Sequence, residues 1–375
     1  MQTITFATNS IEEFQQKIKT ASFQPTLGFV FASVQLDLDA ICRICDDHDI
    51  DLMGCSTAGE FMNEELHEAS IVCILTDMNK DYYQVVTQEF DETPYTAAVK
   101  LGDLSNEIYK NPAIIVVIGG VRIDAEKIIW GIKDSLKREI PIFGGLAGDD
   151  WNLVETYALS RKGKTPNGLT SVVLNNDKIA VQGLATSGWE PIGAVHTITK
   201  SKDNVVYTIN NEPALDVFVK YFGYFDNAEL KGVPINTMSA QYPLQIIRED
   251  EEFNVLRSPL FHEDGTKSLT LAGGVREGDK FRFSISPGFE VIDQTLEEFE
   301  GLRDEIPEAD LMLLFSCKGR HAALGPLIED EIEGIYEHWK APMIGFFSYG
   351  EIGNVKNGIC DFHNESCALV VLKEK

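Results

Sequence analysis

MIGFFSYGEIG, residues 343 to 353, runs from an apolar segment through small residues to a glycine and a carboxylate, Gly350-Glu351. The same punctuation closes LMGCSTAGEF (52 to 61) and PIFGGLAGDD (141 to 150), at Gly59-Glu60 and Gly148-Asp149. Upstream of each corner lies an apolar run, LGFVFAS (27 to 33), AIIVVIGG (113 to 120) or LMLLFSC (311 to 317), followed by a segment of helical period. Ala40, Ile41, Ile44 and Cys45 make one apolar stripe, and Ile128, Ile129, Ile132 and Leu136 a second. Leu324, Leu327, Ile328, Ile332 and Ile335 make the third. Spacing of three to four residues puts each stripe on one helix face. Asp39 and Asp124 are the expected N-caps of two of these helices, because a side-chain oxygen there accepts from the free N–H groups of the first turn. Each stretch reads strand, helix, strand, with the acidic corner at the end of the second strand.

The likeness extends in both directions. Upstream are an alternating strand and another amphipathic helix: TITFAT with IEEFQQKIKT, YYQVVTQEF with PYTAAVKLGDL, and KFRFSIS with VIDQTLEEFEGL. Downstream comes a further strand, ASIVCILTDM, LTSVVLNN or CALVVLKEK, and LHEAS (66 to 70) matches FHNES (362 to 366) at its entry. The expected fold is α/β, with three pseudo-repeats of a β-α-β-α-β-β unit at about 1–78, 82–176 and 280–375 forming mixed, largely parallel sheets. The interval from Gly148 to Gly350 far exceeds that from Gly59 to Gly148, which marks a central α+β insert or a diverged fourth unit across about 180–280. PALDVFVKYFG reads there as a helix, and YPLQIIRE and SLTLAGGV as strands. The expected domains are 1–205 and 206–375.

In a parallel crossover, the loop after the first strand and the corner after the second leave the sheet at one edge, where open α/β sheets bind ligands. The loop after AIIVVIGG carries Arg122, and the loop after LMLLFSC carries Lys318 and Arg320. The arginines are expected to face Asp149 and Glu351 across that edge, with Ser316, Ser348 and Glu60 as further members of the site. An arginine holds a carboxylate through two parallel hydrogen bonds and an acid holds an ammonium, the two groups of a free amino acid. The residues leave a second reading open, in which the same charges are internal salt bridges beside glycines that need positive φ.

With 375 residues, 44% of them hydrophobic, the chain can build sizeable cores, as two domains or one large pseudo-symmetric one. A formal net charge of -27 argues against nucleic acid and anionic membrane as partners. The start, MQTITFATNSIEEFQQ, has no basic or apolar leader, and no window reaches the roughly 18 apolar residues of a membrane span, so a cytoplasmic location is expected. The seven cysteines read as reduced thiols. Cys42 and Cys45 form the only CxxC, with no second pair to complete a metal site, and read as packing residues beside Ile41 and Ile44. Ser316, Ser348, Cys55 and Cys317 are nucleophile types, and His321 and His363 base types. No G-x-S-x-G elbow, phosphate loop, H-E-x-x-H or dinucleotide fingerprint accompanies them, so no catalytic residue is assigned.

GCSTAGEF, GGLAGDD, FSCKGR with GFFSYGEIG, and HNES before the final strand resemble the FIST family, over nearly the whole chain and with both its N-terminal and C-terminal domains. The resemblance implies a sensory input module for a small ligand, with amino acids suggested. It also implies a partner in trans, a histidine kinase or a cyclic-di-GMP enzyme, since no output domain is recognised in the chain. A stand-alone branch of the family implies a different role, haem-binding nitric-oxide sensing on behalf of a partner histidine kinase. His321, beside Arg320 and four residues after Cys317, is then the expected cofactor ligand, and either His321 or Cys317 is a type that reaches haem iron. A further reading is an interaction module whose pocket is vestigial.

Overall fold

The computed structural model describes residues 1–222, 234–248, 255–286, 288–356 and 360–375. The chain begins with β1 (Thr3–Thr8), α1 (Ile11–Lys19), β2 (Leu27–Ser33), α2 (Leu38–Asp47) and β3 (Asp51–Thr57). A hairpin of β4 (Glu60–Met62) and β5 (Glu65–His67) follows, then β6 (Ile71–Thr76). Because α2 carries the chain back along the sheet, β3 lies parallel to β2, whereas β6 inserts antiparallel between β1 and β2. The order recurs in β7 (Tyr83–Glu89), α3 (Pro94–Ile108), β8 (Pro112–Gly119), α4 (Glu126–Leu136) and β9 (Ile142–Leu146). The hairpin β10 (Ala158–Ser160) and β11 (Gly163–Thr165) and the strand β12 (Gly168–Asn175) complete it. Here β8 and β9 are parallel, and β12 is antiparallel between β7 and β8.

After β13 (Ile179–Thr186) the chain builds β14 (Glu190–Lys202), β15 (Val205–Ile209), β16 (Glu212–Pro213), α5 (Ala214–Phe222) and α6 (Ile235–Gln241). Then come β17 (Leu244–Ile247), β18 (Val255–Arg257), β19 (Pro259–Glu263), β20 (Ser268–Leu271) and β21 (Lys280–Ile285). Except for β13, these strands form one antiparallel sheet with a separate core around Ile198, Phe218, Phe281 and Phe283. The last stretch is α7 (Glu290–Glu305), β22 (Leu311–Cys317), α8 (Lys318–Leu324), α9 (Leu327–Trp339) and β23 (Met343–Ser348). It closes with the hairpin β24 (Glu351–Asn354) and β25 (Cys360–His363) and with β26 (Cys367–Glu374). Gly223 and Glu249, the last residues of two expected insert elements, lie outside the described residues.

The protein is thus a mixed α/β fold with several mixed sheets, and it corrects the sequence reading in three respects. First, the sheets are not largely parallel: among the described residues, parallel pairing is confined to β2–β3, β8–β9 and β22–β23. Those strands are adjacent and joined by helices; β1 and β2, and β7 and β8, are also joined by a helix, but β6 and β12 insert antiparallel between them. Second, the β-α-β-α-β-β unit does not describe the chain as built. A hairpin separates the last two strands of each stretch, and β21, the expected first strand of the third unit, pairs with β14 and β17 in the insert sheet. β13 takes the place beside β26 instead. Third, the cap of α2 is Asp37, which accepts from Ala40 N at 2.9 Å, and α4 starts after Ala125 with no side-chain cap. Asp39 lies inside the first turn, and Asp124 falls one residue short.

The hairpins explain the corners. Each leaves its own sheet and extends a neighbour: β4 pairs with β23, β10 with β3, and β24 with β9. Three sheets are thereby laced in a closed ring. Strand alternation then sorts side chains into layers. Phe29 and Phe31 of β2, Ile115 and Val117 of β8, and Leu313 and Phe315 of β22 share one central core. Their alternate neighbours, such as Val30, Val116 and Leu314, face outer cores that include the helices. Cys42 and Cys45 pack in the outer core of the first sheet beside Ile41 and Ile44, and burial pushes the Cys42 thiol up to about 12. Among the described residues, no helix is long and apolar enough to cross a membrane.

Candidate ligand site at the sheet-switching corners

At the first and third corners the chain crosses from one sheet to the next within two residues, Ala58-Gly59 and Tyr349-Gly350. Gly59 has φ 113°, a conformation costly for a residue with a Cβ. The acid that follows turns inward and is fully buried. Glu60 accepts hydrogen bonds from the Thr57 hydroxyl, from Ser70 Oγ at 2.7 Å and from Ser70 N at 3.1 Å. Glu351 accepts from the Ser348 hydroxyl and from Ser366 Oγ at 2.7 Å. Burial raises Glu60 to about 7 and Glu351 to about 8, against the lowering effect of these hydroxyls. The second corner is built differently, because a loop separates β9 from β10. Asp149 accepts from the backbone of Leu153 at 2.8 Å, Val154 at 2.6 Å and Glu155 at 3.0 Å, and from the Tyr349 hydroxyl.

The expected pairing of Arg320 with Glu351 does not form. Arg320 is fully buried and binds Glu331 of α9 through Nε at 3.0 Å and Nη2 at 2.5 Å. It also donates to Thr295 Oγ1 at 2.9 Å and to Ser187 O at 2.5 Å. Glu331 was not singled out in the sequence, because nothing distinguishes it from the other acidic residues of the amphipathic segment that forms α9. Arg122 does not meet Asp149 either; its guanidinium lies over the Phe261 ring, 3.9 Å from the centroid. Ser348 Oγ also lies 3.2 Å from Ser316 O, while Ser316 Oγ has no hydrogen-bond partner among the described residues.

Open space lies next to these corners. A cleft of about 560 Å³ borders the first, between Ala58, Gly59 and His67 on one side and Lys318, His321 and Phe347 on the other. A smaller cavity of about 30 Å³ borders the third, between Cys317, Ser348, Asn364 and Glu365 below and Asn236, Ser258 and Leu260 of the insert above. Trp151 and Lys318 line both. Lys318 is partly buried, which lowers its pKa, and has no carboxylate within ion-pair distance among the described residues. Its ammonium stands 3.1 Å from His321 Nδ1 and 5.2 Å from the Phe347 ring centroid. Burial, then the Lys318 charge, lowers His321 to about 4, and its ring stacks on Phe347 at 4.2 Å. Since an ammonium only donates, Nδ1 is the accepting nitrogen and the imidazole proton sits on Nε2.

Glu365 is 1% exposed; Oε1 accepts from Ser258 Oγ at 2.7 Å, and Oε2 has no partner among the described residues. Burial raises its pKa to about 8. The small cavity therefore offers one cation and one carboxyl that are in no ion pair among the described residues, in a wall of apolar, hydroxyl and amide side chains, while Glu68 and Asp150 of the adjoining cleft act on Lys318 from a longer distance. Trp151, Asn364 and Glu365 were not singled out in the sequence, although the match of LHEAS to FHNES contained the signal: Glu365 stands where the first copy has Ala69. Among the nucleophile and base types, no hydrogen bond joins Ser316, Ser348, Cys55 or Cys317 to a histidine within the described residues.

Residues 26–212 match the FIST N domain family and residues 214–354 the FIST C domain family. The chain is also similar to the uncharacterized protein MJ1623 of Methanocaldococcus jannaschii, at 23% identity over 398 aligned positions that cover 94% of this chain and 73% of that protein.

Proposed function

Because the chain belongs to the FIST family, a family of small-ligand sensory domains in signal transduction rather than of enzymes, we propose that it senses a small zwitterion, an amino acid, at the strand ends around Lys318 and Glu365. The observation that carries this reading is the pair itself: an ammonium and a buried carboxyl, neither in an ion pair among the described residues, lining one cavity. A ligand carboxylate would replace the missing partner of Lys318 and a ligand ammonium the missing donor to Glu365 Oε2, each as a charge-assisted hydrogen bond. Ser316, Ser348, Glu351, Glu60 and Asp149 then hold the frame of the site, and Arg320 anchors the helix α8 that carries Lys318.

The cavity of about 30 Å³ holds little more than water, so ligand entry has to move α6 and the Trp151 loop or merge the cavity with the adjoining cleft. That rearrangement is the proposed signal, read by a separate cytoplasmic partner such as a histidine kinase or a cyclic-di-GMP enzyme. A ligand that binds the open form tenfold more tightly supplies about 1.4 kcal/mol of bias. A thermal-shift screen of the common amino acids tests the reading. At least one should raise the midpoint in the wild type and fail to do so in Lys318→Met and Glu365→Gln. If no amino acid shifts the wild type, the reading is lost.

Haem is the weaker alternative, because the residues present fit it poorly. Burial keeps the Cys317 thiol well above its ordinary pKa, whereas thiolate ligation needs the anion, and ligation through His321 Nε2 would require the imidazole proton on Nδ1, which the neighbouring Lys318 ammonium disfavours. A Soret band in the purified protein, or one that appears on adding hemin, would establish haem binding.

A further inference from the structure

A further cavity, of about 460 Å³, lies between the start of α4 and the loops of the insert sheet. That volume suits a small molecule. Two carboxyl groups converge at its floor on Gly274, where a Cβ would stand 2.7 Å from Glu126 Oε2 and 3.1 Å from Asp124 Oδ2. Glu126 is committed: Oε1 takes Arg248 Nη2 at 2.8 Å and Oε2 faces Arg257 Nη2 at 3.5 Å. Asp124 is not. It is 8% exposed, Oδ1 has no hydrogen-bond partner among the described residues, and Oδ2 pairs with Lys127 at 3.8 Å, with the Arg257 charge and the Glu126 N–H also favouring the anion. Lys127 itself is drawn away to Asp203 at 2.6 Å. Trp130 forms an aromatic wall, with the Arg276 guanidinium lying over its ring, 5.5 Å from the centroid.

We propose that this cavity is a second ligand site, for a small organic ammonium ion, with Asp124 as the counter-ion and Trp130 as the wall on which the body of the ligand packs. A metal ion is the poorer occupant, because hard cations need several oxygen ligands and Glu126 has none to spare. An anion is disfavoured by the Asp124 carboxyl, whose Oδ1 has no hydrogen-bond partner among the described residues, and by the formal net charge of -27. Occupancy would join α4 to the insert sheet across the cavity, so the site is placed to bias how the insert sits over the Glu365 pocket.

Calorimetric titration with phenethylamine, and with 2-phenylethanol as its neutral counterpart, tests the proposal. Saturable binding of the amine alone is expected, weakened at least tenfold in Asp124→Asn and also weakened in Trp130→Leu. Lys318→Met should leave it unchanged, which keeps this test independent of the amino-acid site. Equal affinity of wild type and Asp124→Asn, absence of saturable amine binding, or equal binding of the alcohol would each overturn the proposal.

Discussion

LHEAS at residues 66 to 70 and FHNES at residues 362 to 366 end equivalent hairpins, and they differ in one informative place. Both place a serine on the corner acid: Ser70 Oγ meets Glu60 and Ser366 Oγ meets Glu351, each at 2.7 Å. Both put the preceding residue in the left-handed region, Ala69 at φ 49° and Glu365 at φ 52°. The backbone and the serine recur, so they belong to the socket that laces one sheet into the next. The side chain at the left-handed position does not recur. It is a methyl group beside the open cleft in the first copy and a buried carboxyl under the insert in the third. What is shared serves the fold, and what departs from the shared pattern is where a ligand would be met.

The contrast breaks if the polar groups assigned to the frame can be removed freely. The largest effect is expected at Arg320. Arg320→Ala leaves the buried Glu331 carboxylate uncompensated and should cost about 3–5 kcal/mol in urea unfolding. Next come the shared serines: Ser70→Ala and Ser366→Ala should each cost about 1–3 kcal/mol, because a buried carboxyl loses a hydroxyl partner. The same corner predicts a pH dependence. Glu351 has its pKa raised from 4.5 to about 8, so the folded chain binds this proton more tightly than the unfolded chain does. Its contribution to stability is full below pH 4.5 and is lost as pH rises through about 8. Glu351→Gln, which is neutral at every pH, should flatten that part of the curve; an unchanged slope would place the titration elsewhere.

Much of the frame was legible in the sequence because apolar periodicity and corner chemistry are local. The apolar runs of β2, β8 and β22 and the helices after them follow from spacing alone. Pairing across the molecule leaves no such mark. Nothing within EFMNEEL says that β4 joins β23, and KFRFSIS alternates equally well for either sheet that it might extend. Arg320 follows β22 as expected, but on the helix α8 rather than in a loop, and its partner is decided by how α9 packs against that helix. Lys318 lay in view beside it. Its importance rests on an absence, the lack of an ion pair among the described residues, and an absence of contact has no sequence signature.

Glu365→Ala carries the sharpest test with the smallest change in stability. Ala69 holds the same left-handed conformation in the first copy, so alanine at 365 asks nothing new of the backbone. The substitution removes a buried carboxyl oxygen without a donor, a feature that costs about 1–3 kcal/mol, and gives up one hydrogen bond from Ser258, worth about 1 kcal/mol. The expected result is a stability equal to the wild type or about 1 kcal/mol higher by urea unfolding, together with loss of the amino-acid-induced thermal shift. Opposite signs for Glu365→Ala and Ser366→Ala, at neighbouring positions in one turn, would separate a ligand-facing carboxyl from its structural socket. A loss of stability at Glu365 as large as that at Ser366 would make the carboxyl part of the frame, and the distinction between the two copies would then be one of packing alone.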